Sequence, residues 1–104
     1  MNRRRKFREG MLVWSKYSVA WGIDPSSGLF CYDKQSVLRE GGPVLILGIP
    51  KRKDFDRDWK QILHRGEQTM LDKMLKSGVV CLYEESKIIV LEKDLLLRQP
   101  KFEE

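Results

Sequence analysis

Short apolar runs separated by turn-forming residues recur along this chain of 104 residues and limit it to a fold of short strands. The clearest turn is DPSSG at residues 24–28, where proline presets one dihedral angle and glycine permits a positive φ. Residues 17–23 before it alternate with a period of two, and the apolar run LFCY at residues 29–32 follows it. We therefore predict a hairpin of these two segments.

Three further runs also read as strands. GMLVW at residues 10–14 is short and apolar, and PVLILGI at residues 43–49 is long enough to be a strand buried on both faces or nearly so. Near the end, VVCLY and KIIVLE flank the turn residues 84–86, which predicts a second hairpin.

One segment has helical periodicity instead. Its apolar residues recur at spacings of three and four and define one helix face: Trp59, Ile62, Leu63, Met70, Leu71, Met74 and Leu75. Gly78 after Ser77 predicts a glycine C-cap. Gly66 interrupts the pattern, so residues 56–77 form either one helix or a short strand or turn at 58–65 followed by a helix at 67–77. Met70 and Met74 are read as core, with a partner-binding stripe as the alternative.

Three connecting segments carry weaker signals. Residues 33–40 open with Asp33 and precede Gly41, a pattern that predicts one or two helical turns. The charged residues 51–58 are predicted to be a loop. Residues 94–97 are predicted to form a short 3₁₀ or helical turn that places apolar side chains under the sheet.

Together these elements predict a small α+β domain, with one amphipathic helix inserted into a small curled antiparallel sheet. The domain spans residues 10–98, between a flexible basic arm at residues 1–9 and a polar tail at residues 99–104. A single domain of this size can fold without a disulfide or a metal ion.

The opening pattern GMLVW resembles the first strand of SH3-like small barrels, and VVCLYEESKIIVLEKDLL resembles their closing hairpin and the short turn after it. Together the two segments cover about a third of the chain. The predicted helix lies where such barrels usually have a short loop. Small barrels of this type occur among accessory proteins of tailed phages, and others bind RNA or DNA. The resemblance implies an SH3-like partial barrel with a binding role and no catalysis.

The net charge of +5 is concentrated at the N-terminus. The first eight residues carry all of the excess, because the remaining chain has equal numbers of basic and acidic side chains. A basic arm of this kind can bind a polyanion. We predict that nucleic-acid phosphates bind its cations and that its one aromatic side chain stacks on a base: Arg3, Arg4, Arg5, Lys6, Phe7 and Arg8. The alternative is an unstructured, solubilising terminus.

A second basic run extends this candidate surface. Lys51, Arg52 and Lys53 follow one another, but Asp54, Asp56 and Asp58 come directly after them and cancel their charge locally. The alternative to a binding surface is therefore a solvated loop.

Aromatic residues crowd the first half of the chain and are the candidates for gripping a peptide or stacking on bases. We select Trp14, Tyr17 and Trp21 as partner-binding candidates. Alternation places Tyr17, Val19 and Trp21 on one strand face, which favours the core as the alternative.

Catalytic and metal-binding patterns do not stand out. The single histidine, His64, lies off the predicted apolar helix face, and one histidine with two isolated cysteines does not approach a zinc-site spacing. We expect no cofactor, no metal and no small-molecule substrate. Cys31 and Cys81 each lie in an apolar run, which predicts two reduced, buried thiols.

The longest uncharged apolar stretch is too short to cross a membrane, and no signal-like apolar segment follows the basic start. We therefore expect a cytoplasmic protein that is not an enzyme. Two binding hypotheses remain. One is nucleic-acid binding, to DNA or RNA, through the basic arm. The other is a protein–protein interaction module that docks on a larger assembly, as a phage-type accessory or regulatory protein would.

Overall fold

The computed structural model describes residues 7–57 and 70–99. Its elements are β1 (Leu12–Ser15), β2 (Ser18–Ile23), β3 (Phe30–Leu38), β4 (Pro43–Gly48), α1 (Met70–Ser77), β5 (Gly78–Tyr83), β6 (Ser86–Leu91) and β7 (Leu95–Leu96), with 3₁₀ turns at Arg52–Asp54 and Glu92–Asp94. The seven strands form one antiparallel sheet in the order β3-β2-β6-β5-β4-β1-β7. No helix among the described residues is long and apolar enough to cross a membrane.

The predicted first hairpin is confirmed, and its turn is held by local hydrogen bonds. Gly28 has a φ of +73° and donates its N–H to the carbonyl of Asp24 at 2.8 Å. The Asp24 carboxylate accepts the N–H of Ser26 at 3.1 Å, and this bond lowers the pKa of the Asp24 carboxyl. The turn residues thus fix the pairing of β2 with β3, as their composition indicated.

The second strand of this hairpin, β3, is longer than the sequence predicted. The predicted helical turns at residues 33–40 are wrong, because β3 continues to Leu38. Val37 pairs with Val19 of β2, and Ser36 pairs with Ala20. The Asp and Gly signals at the ends of this segment are local, and cross-strand pairing overrides them.

The sheet is open and curls so that its two ends approach each other. β3 forms one end of the sheet, and β1 lies next to the other. Even so, the hydroxyl of Ser15 in β1 donates to the carbonyl of Arg39, directly after β3. Gly41 donates to the Ser15 carbonyl at 2.7 Å, and the Ser15 N–H donates to the Gly42 carbonyl at 2.9 Å. These bonds tie β1 to the β3–β4 connection.

A first hydrophobic core, the inner core, lies within the curl. All seven strands contribute to it, and the residue before them, Phe7, joins it. Its buried members are Phe7, Val13, Ala20, Leu38, Val44, Ile46, Val79, Cys81, Tyr83, Ile88, Val90 and Leu95. Burial of each large apolar side chain contributes about 1.5–3 kcal/mol, so this core is the main stabilising element of the sheet.

A second core, the outer core, lies between the opposite face of the sheet and α1. Leu71 and Met74 of α1 pack with Val80 of β5 and Ile89 of β6. Trp21, Phe30 and Phe55 complete this cluster. The core assignment of Met74 is therefore confirmed. Residues 51–57 contain a 3₁₀ turn and the buried Phe55, a core residue that the loop prediction missed.

Helix α1 ends at Ser77, as predicted, but it passes directly into β5, so the predicted glycine cap at Gly78 is wrong. Gly78 is the first residue of β5 and has no positive φ. A Cβ atom at this position would lie 2.4 Å from the carbonyl oxygen of Met74. Glycine is thus required by the close approach of the two backbones. The predictions for residues 58–69, including those for Gly66 and His64, concern a segment outside the described residues.

The predicted closing hairpin is confirmed. β5 and β6 are joined through Glu84 and Glu85, which have φ values of 49° and 65°. The predicted turn at residues 94–97 is displaced: the 3₁₀ turn is Glu92–Asp94, and Leu95–Leu96 pair with β1 as β7.

Candidate nucleic-acid interface

Phe7, the first residue that the structure describes, belongs to the inner core. The Phe7 side chain is 3% exposed, so it is packed in the core and is not available to stack on a base. Gly10 donates to the Ile46 carbonyl at 2.8 Å, and Ile46 donates to the Met11 carbonyl at 2.8 Å, which fixes the chain after Phe7 against β4. The other candidates of the arm, Arg3 to Lys6, lie outside the described residues.

Phe7 lines a cleft of about 580 Å³ that we call the Lys51 cleft. Arg8, Glu9 and Lys51 line it together with Phe7 and residues 47–49. Arg8 and Lys51 are both exposed. The fold thus brings together a cation of the arm and a cation of the second basic run, which are more than 40 positions apart in sequence.

The carboxylates that follow Lys51 are directed towards the protein. Asp54 is half-buried and accepts the backbone N–H of Lys51 at 2.8 Å. Asp56 is half-buried and accepts a hydrogen bond from the Cys31 thiol at 3.3 Å. By contrast, Lys51, Arg52 and Lys53 are exposed. The cations of this segment therefore face solvent, while these two carboxylates accept hydrogen bonds from the protein. Asp58 lies outside the described residues.

Phe7 also lines a second cleft of about 580 Å³, the Lys93 cleft. Three exposed cations line it, Lys16, Lys93 and Arg98, with one carboxylate, Glu92. The Lys16 ammonium donates to the carbonyl of Lys93 at 2.8 Å. Sequence reasoning missed this group, because its members meet only through the pairing of β1 with β7.

The three aromatic candidates are not brought together. Trp21 is 9% exposed and belongs to the outer core, whereas Tyr17 is 73% exposed. Val19 is 41% exposed. The prediction of one buried face for Tyr17, Val19 and Trp21 is therefore wrong for the first two. The physical reason is that Ala20 points into the inner core, and the outer core reaches only the Trp21 end of β2.

Trp14 lies on the outer face of β1 and is partly exposed. It is paired with Pro43 on one side and Leu96 on the other. A neighbouring row on the same face joins Leu12 to Leu45 and Leu45 to Leu82 across three strands. Leu12 is 54% exposed and Leu82 is 38% exposed. This region of the sheet is an apolar surface that α1 leaves open, and we call it the outer apolar face.

Both cysteines are free and buried, as predicted. Burial raises the pKa of the Cys81 thiol to about 12. Burial and the hydrogen bond to Asp56 raise the pKa of the Cys31 thiol to about 11. Thiols with such pKa values are poor nucleophiles and poor metal ligands at neutral pH. Within residues 7–57 and 70–99, no group of three His, Cys, Asp or Glu side chains is placed to hold a metal ion.

Comparison of the chain with protein-family models, with curated proteins and with solved structures gave no match. The function must therefore be inferred from the geometry of the surfaces described above.

Proposed function

We propose that this protein is a small non-enzymatic binding protein that binds nucleic acid through its basic N-terminal arm and the cations around the base of that arm. The observation that carries the proposal is the position of Phe7. It lines both the Lys51 cleft and the Lys93 cleft, so the residue that follows the cations of the arm adjoins two groups of exposed cations. A phosphate backbone that contacts the arm and reaches Phe7 would therefore meet further cations in the two clefts.

The charges of the two clefts favour an anionic ligand. Each cleft is lined by one carboxylate, Glu9 in the first and Glu92 in the second. Two cations line the first cleft and three line the second. Lysine and arginine contacts to phosphate hold the ligand in position without reading its sequence. We therefore expect binding with little sequence preference.

We also infer that the fold is an α+β domain of the SH3-like partial-barrel type, with α1 as its inserted helix. The support for this is the curl of the sheet, tied at Ser15, together with the short closing hairpin of β5 and β6. We place the protein in the cytoplasm, because its two free, buried thiols suit a compartment that keeps thiols reduced.

A salt titration of binding tests the proposal. The full chain is titrated against labelled single-stranded and duplex oligonucleotides at several salt concentrations. Each phosphate contact contributes about 0.7 to the slope of log K against log salt on a single strand and about 0.9 on duplex DNA. Neutralisation of Lys51, Arg52 and Lys53 to glutamine should lower the slope by about 2. No binding by the full chain at low salt would reject the proposal.

A matched variant separates a local contact from a general loss of charge. Lys34, Lys76 and Lys87 are three exposed lysines that line neither cleft. Their neutralisation to glutamine removes the same charge. We expect this variant to keep the slope of the parent protein within about 0.5, because a counterion is released only where a phosphate is contacted.

The outer apolar face supports a second candidate function, docking on a larger protein assembly. Trp14 and Leu12 lie side by side on β1 there, and partly exposed aromatic side chains are frequent anchors of protein interfaces. Under this alternative, Leu12→Asp should abolish co-purification with the partner while nucleic-acid binding is unchanged. The same substitution should leave the fold intact, since Leu12 is 54% exposed.

A further inference from the structure

We propose that Tyr17 is a stacking platform for an unpaired base, and that the ligand of the basic surface is therefore a single-stranded nucleic acid. This inference rests on the proposed function and specifies its ligand. The side chain of Tyr17 is 73% exposed, the largest exposed fraction among the large apolar residues that the structure describes. Most other described aromatic side chains, including Phe7, Trp21, Phe30 and Phe55, are buried in the two cores.

Two exposed cations adjoin Tyr17, one along the chain and one across the strand pair. It follows Lys16 directly, and Lys16 lines the Lys93 cleft together with Phe7. On its other side, Ser18 pairs with Leu38, and the exposed Arg39 comes directly after Leu38. Tyr17 thus has one exposed cation directly before it in the chain and a second at the neighbouring end of β3. Cationic grooves combined with exposed aromatic rings are typical of proteins that bind single strands.

The backbone on both sides of Tyr17 is fixed by hydrogen bonds. The Lys16 N–H donates to the Asp94 carbonyl at 2.9 Å, and the Lys16 ammonium donates to the Lys93 carbonyl at 2.8 Å. Ser18 begins β2 and is paired with β3. A ring presented from a fixed backbone loses little conformational entropy on binding, which favours its use as a contact for a ligand.

An exposed tyrosine distinguishes a single strand from a duplex. In a duplex the faces of the bases are already stacked on one another, and a side chain reaches a base face only where the base is unpaired. Phosphate contacts alone would serve either form. The exposed ring beside the cations therefore favours the single strand, DNA or RNA.

The test compares three variants of the full chain by fluorescence anisotropy. The probes are a labelled thymidine oligonucleotide of about 15 nucleotides, its uridine counterpart and a duplex of similar length. Tyr17→Ala should weaken binding to the single strands about 5- to 150-fold, the range expected for one stacked base, and Tyr17→Phe should retain the affinity of the parent. Leu82→Ala, the control, truncates an exposed apolar side chain on the outer apolar face and should have no effect.

Two readouts make the outcome specific. Tyr17→Ala should leave the salt slope unchanged, since it removes no cation, and should leave duplex binding unchanged. Single strands that bind no tighter than the duplex, or single-strand binding that is indifferent to Tyr17→Ala, would overturn the stacking platform and leave the proposed function standing. Failure of the full chain to bind any of the probes would overturn both. Because Tyr17 is exposed, its substitutions should not unfold the protein, and circular dichroism checks this.

Discussion

The hydroxyl of the fully buried Ser15 donates a hydrogen bond to the carbonyl oxygen of Arg39 and so joins β1 to the end of β3. The two strands lie near opposite ends of the sheet order, and no ladder pairing connects them directly. The bond therefore supports the curl of the sheet rather than any one strand pair. Tyr83 reinforces the same point, because its hydroxyl accepts the Arg39 N–H at 3.2 Å.

Replacement of Ser15 by alanine should lower the free energy of unfolding by about 1 kcal/mol, the typical net contribution of one such bond. The loss stays modest because the Arg39 carbonyl also accepts the Gly42 N–H at 3.2 Å. Urea denaturation measures it. Ser36→Ala in the exposed part of β3 is the control, with an expected change within about 0.5 kcal/mol. Equal effects for the two serines would contradict the role given to Ser15.

The junction of α1 with β5 allows a sharper test of packing. Gly78→Ala places a Cβ atom 2.4 Å from the Met74 carbonyl, so the helix end or the strand must move. We expect a loss of about 2–3 kcal/mol, typical of overpacking against a rigid neighbour. In Gly22→Ala the new Cβ atom is 3.5 Å from its nearest neighbour, the Lys34 carbonyl, and the change should stay within about 1 kcal/mol. Thermal unfolding of both variants compares the two positions, and similar melting temperatures would argue against the close approach.

The hairpins of this protein were predictable because their signals are local. DPSSG identifies the first turn from its own residues, whereas the second turn, at residues 84–86, is identified by the apolar strand-like runs on both sides of it. The helical turns expected at residues 33–40 failed for the complementary reason. The residues that predicted the start and the end of a helix there are local signals as well. In the structure, however, residues 36–38 of β3 pair with β2, and this long-range pairing determines the conformation.

The candidate site was only partly predictable. The two runs of basic residues in the sequence identified Arg8 and Lys51 as candidates. Their meeting in one cleft depends on the pairing of the chain after Phe7 with β4, which the sequence does not encode as a motif. The burial of Phe7 could not be predicted either, because a single aromatic residue among arginines has no periodicity to indicate its direction.

The turn between β5 and β6 is the place where the sequence departs furthest from its local preference. Glu84 and Glu85 both have positive φ, which two-residue hairpin turns usually assign to Asn-Gly. The double variant Glu84→Asn, Glu85→Gly should raise the free energy of unfolding by about 1 kcal/mol. Glu84→Gln with Glu85→Gln removes the same charges without changing the conformational preference. If this glutamine variant stabilises the protein equally, charge and not backbone strain is the cause.

The raised pKa values of the two thiols predict that the folded protein loses stability at alkaline pH. Their folded pKa values are raised to about 11 and 12 from an ordinary 9.0, so the unfolded chain releases these protons first as the pH rises. The stabilisation is complete below pH 9 and is lost as the pH rises from 9 towards 11 and 12. Urea titrations between pH 8 and 11 should show this fall. Cys81→Ala should make the fall of the free energy of unfolding with pH less steep, because one of the two thiols is removed.

At pH 8 neither thiol should react with an alkylating reagent until urea is added, and rapid alkylation of the native protein would contradict their burial.

The final prediction concerns truncation of the arm, whose effect depends on whether Phe7 is kept. Phe7 is 3% exposed in the inner core, so a truncation that removes it would destabilise the fold and confuse loss of binding with loss of structure. Removal of residues 1–6 takes away four cations and keeps Phe7. On a single strand the salt slope should then fall by as much as about 3, since each lost contact contributes about 0.7. The melting temperature should remain that of the parent. Binding and slope that survive this truncation unchanged would assign the ligand to the Lys51 and Lys93 clefts alone. Residual binding with a smaller slope is expected if the arm and the clefts contact one continuous strand.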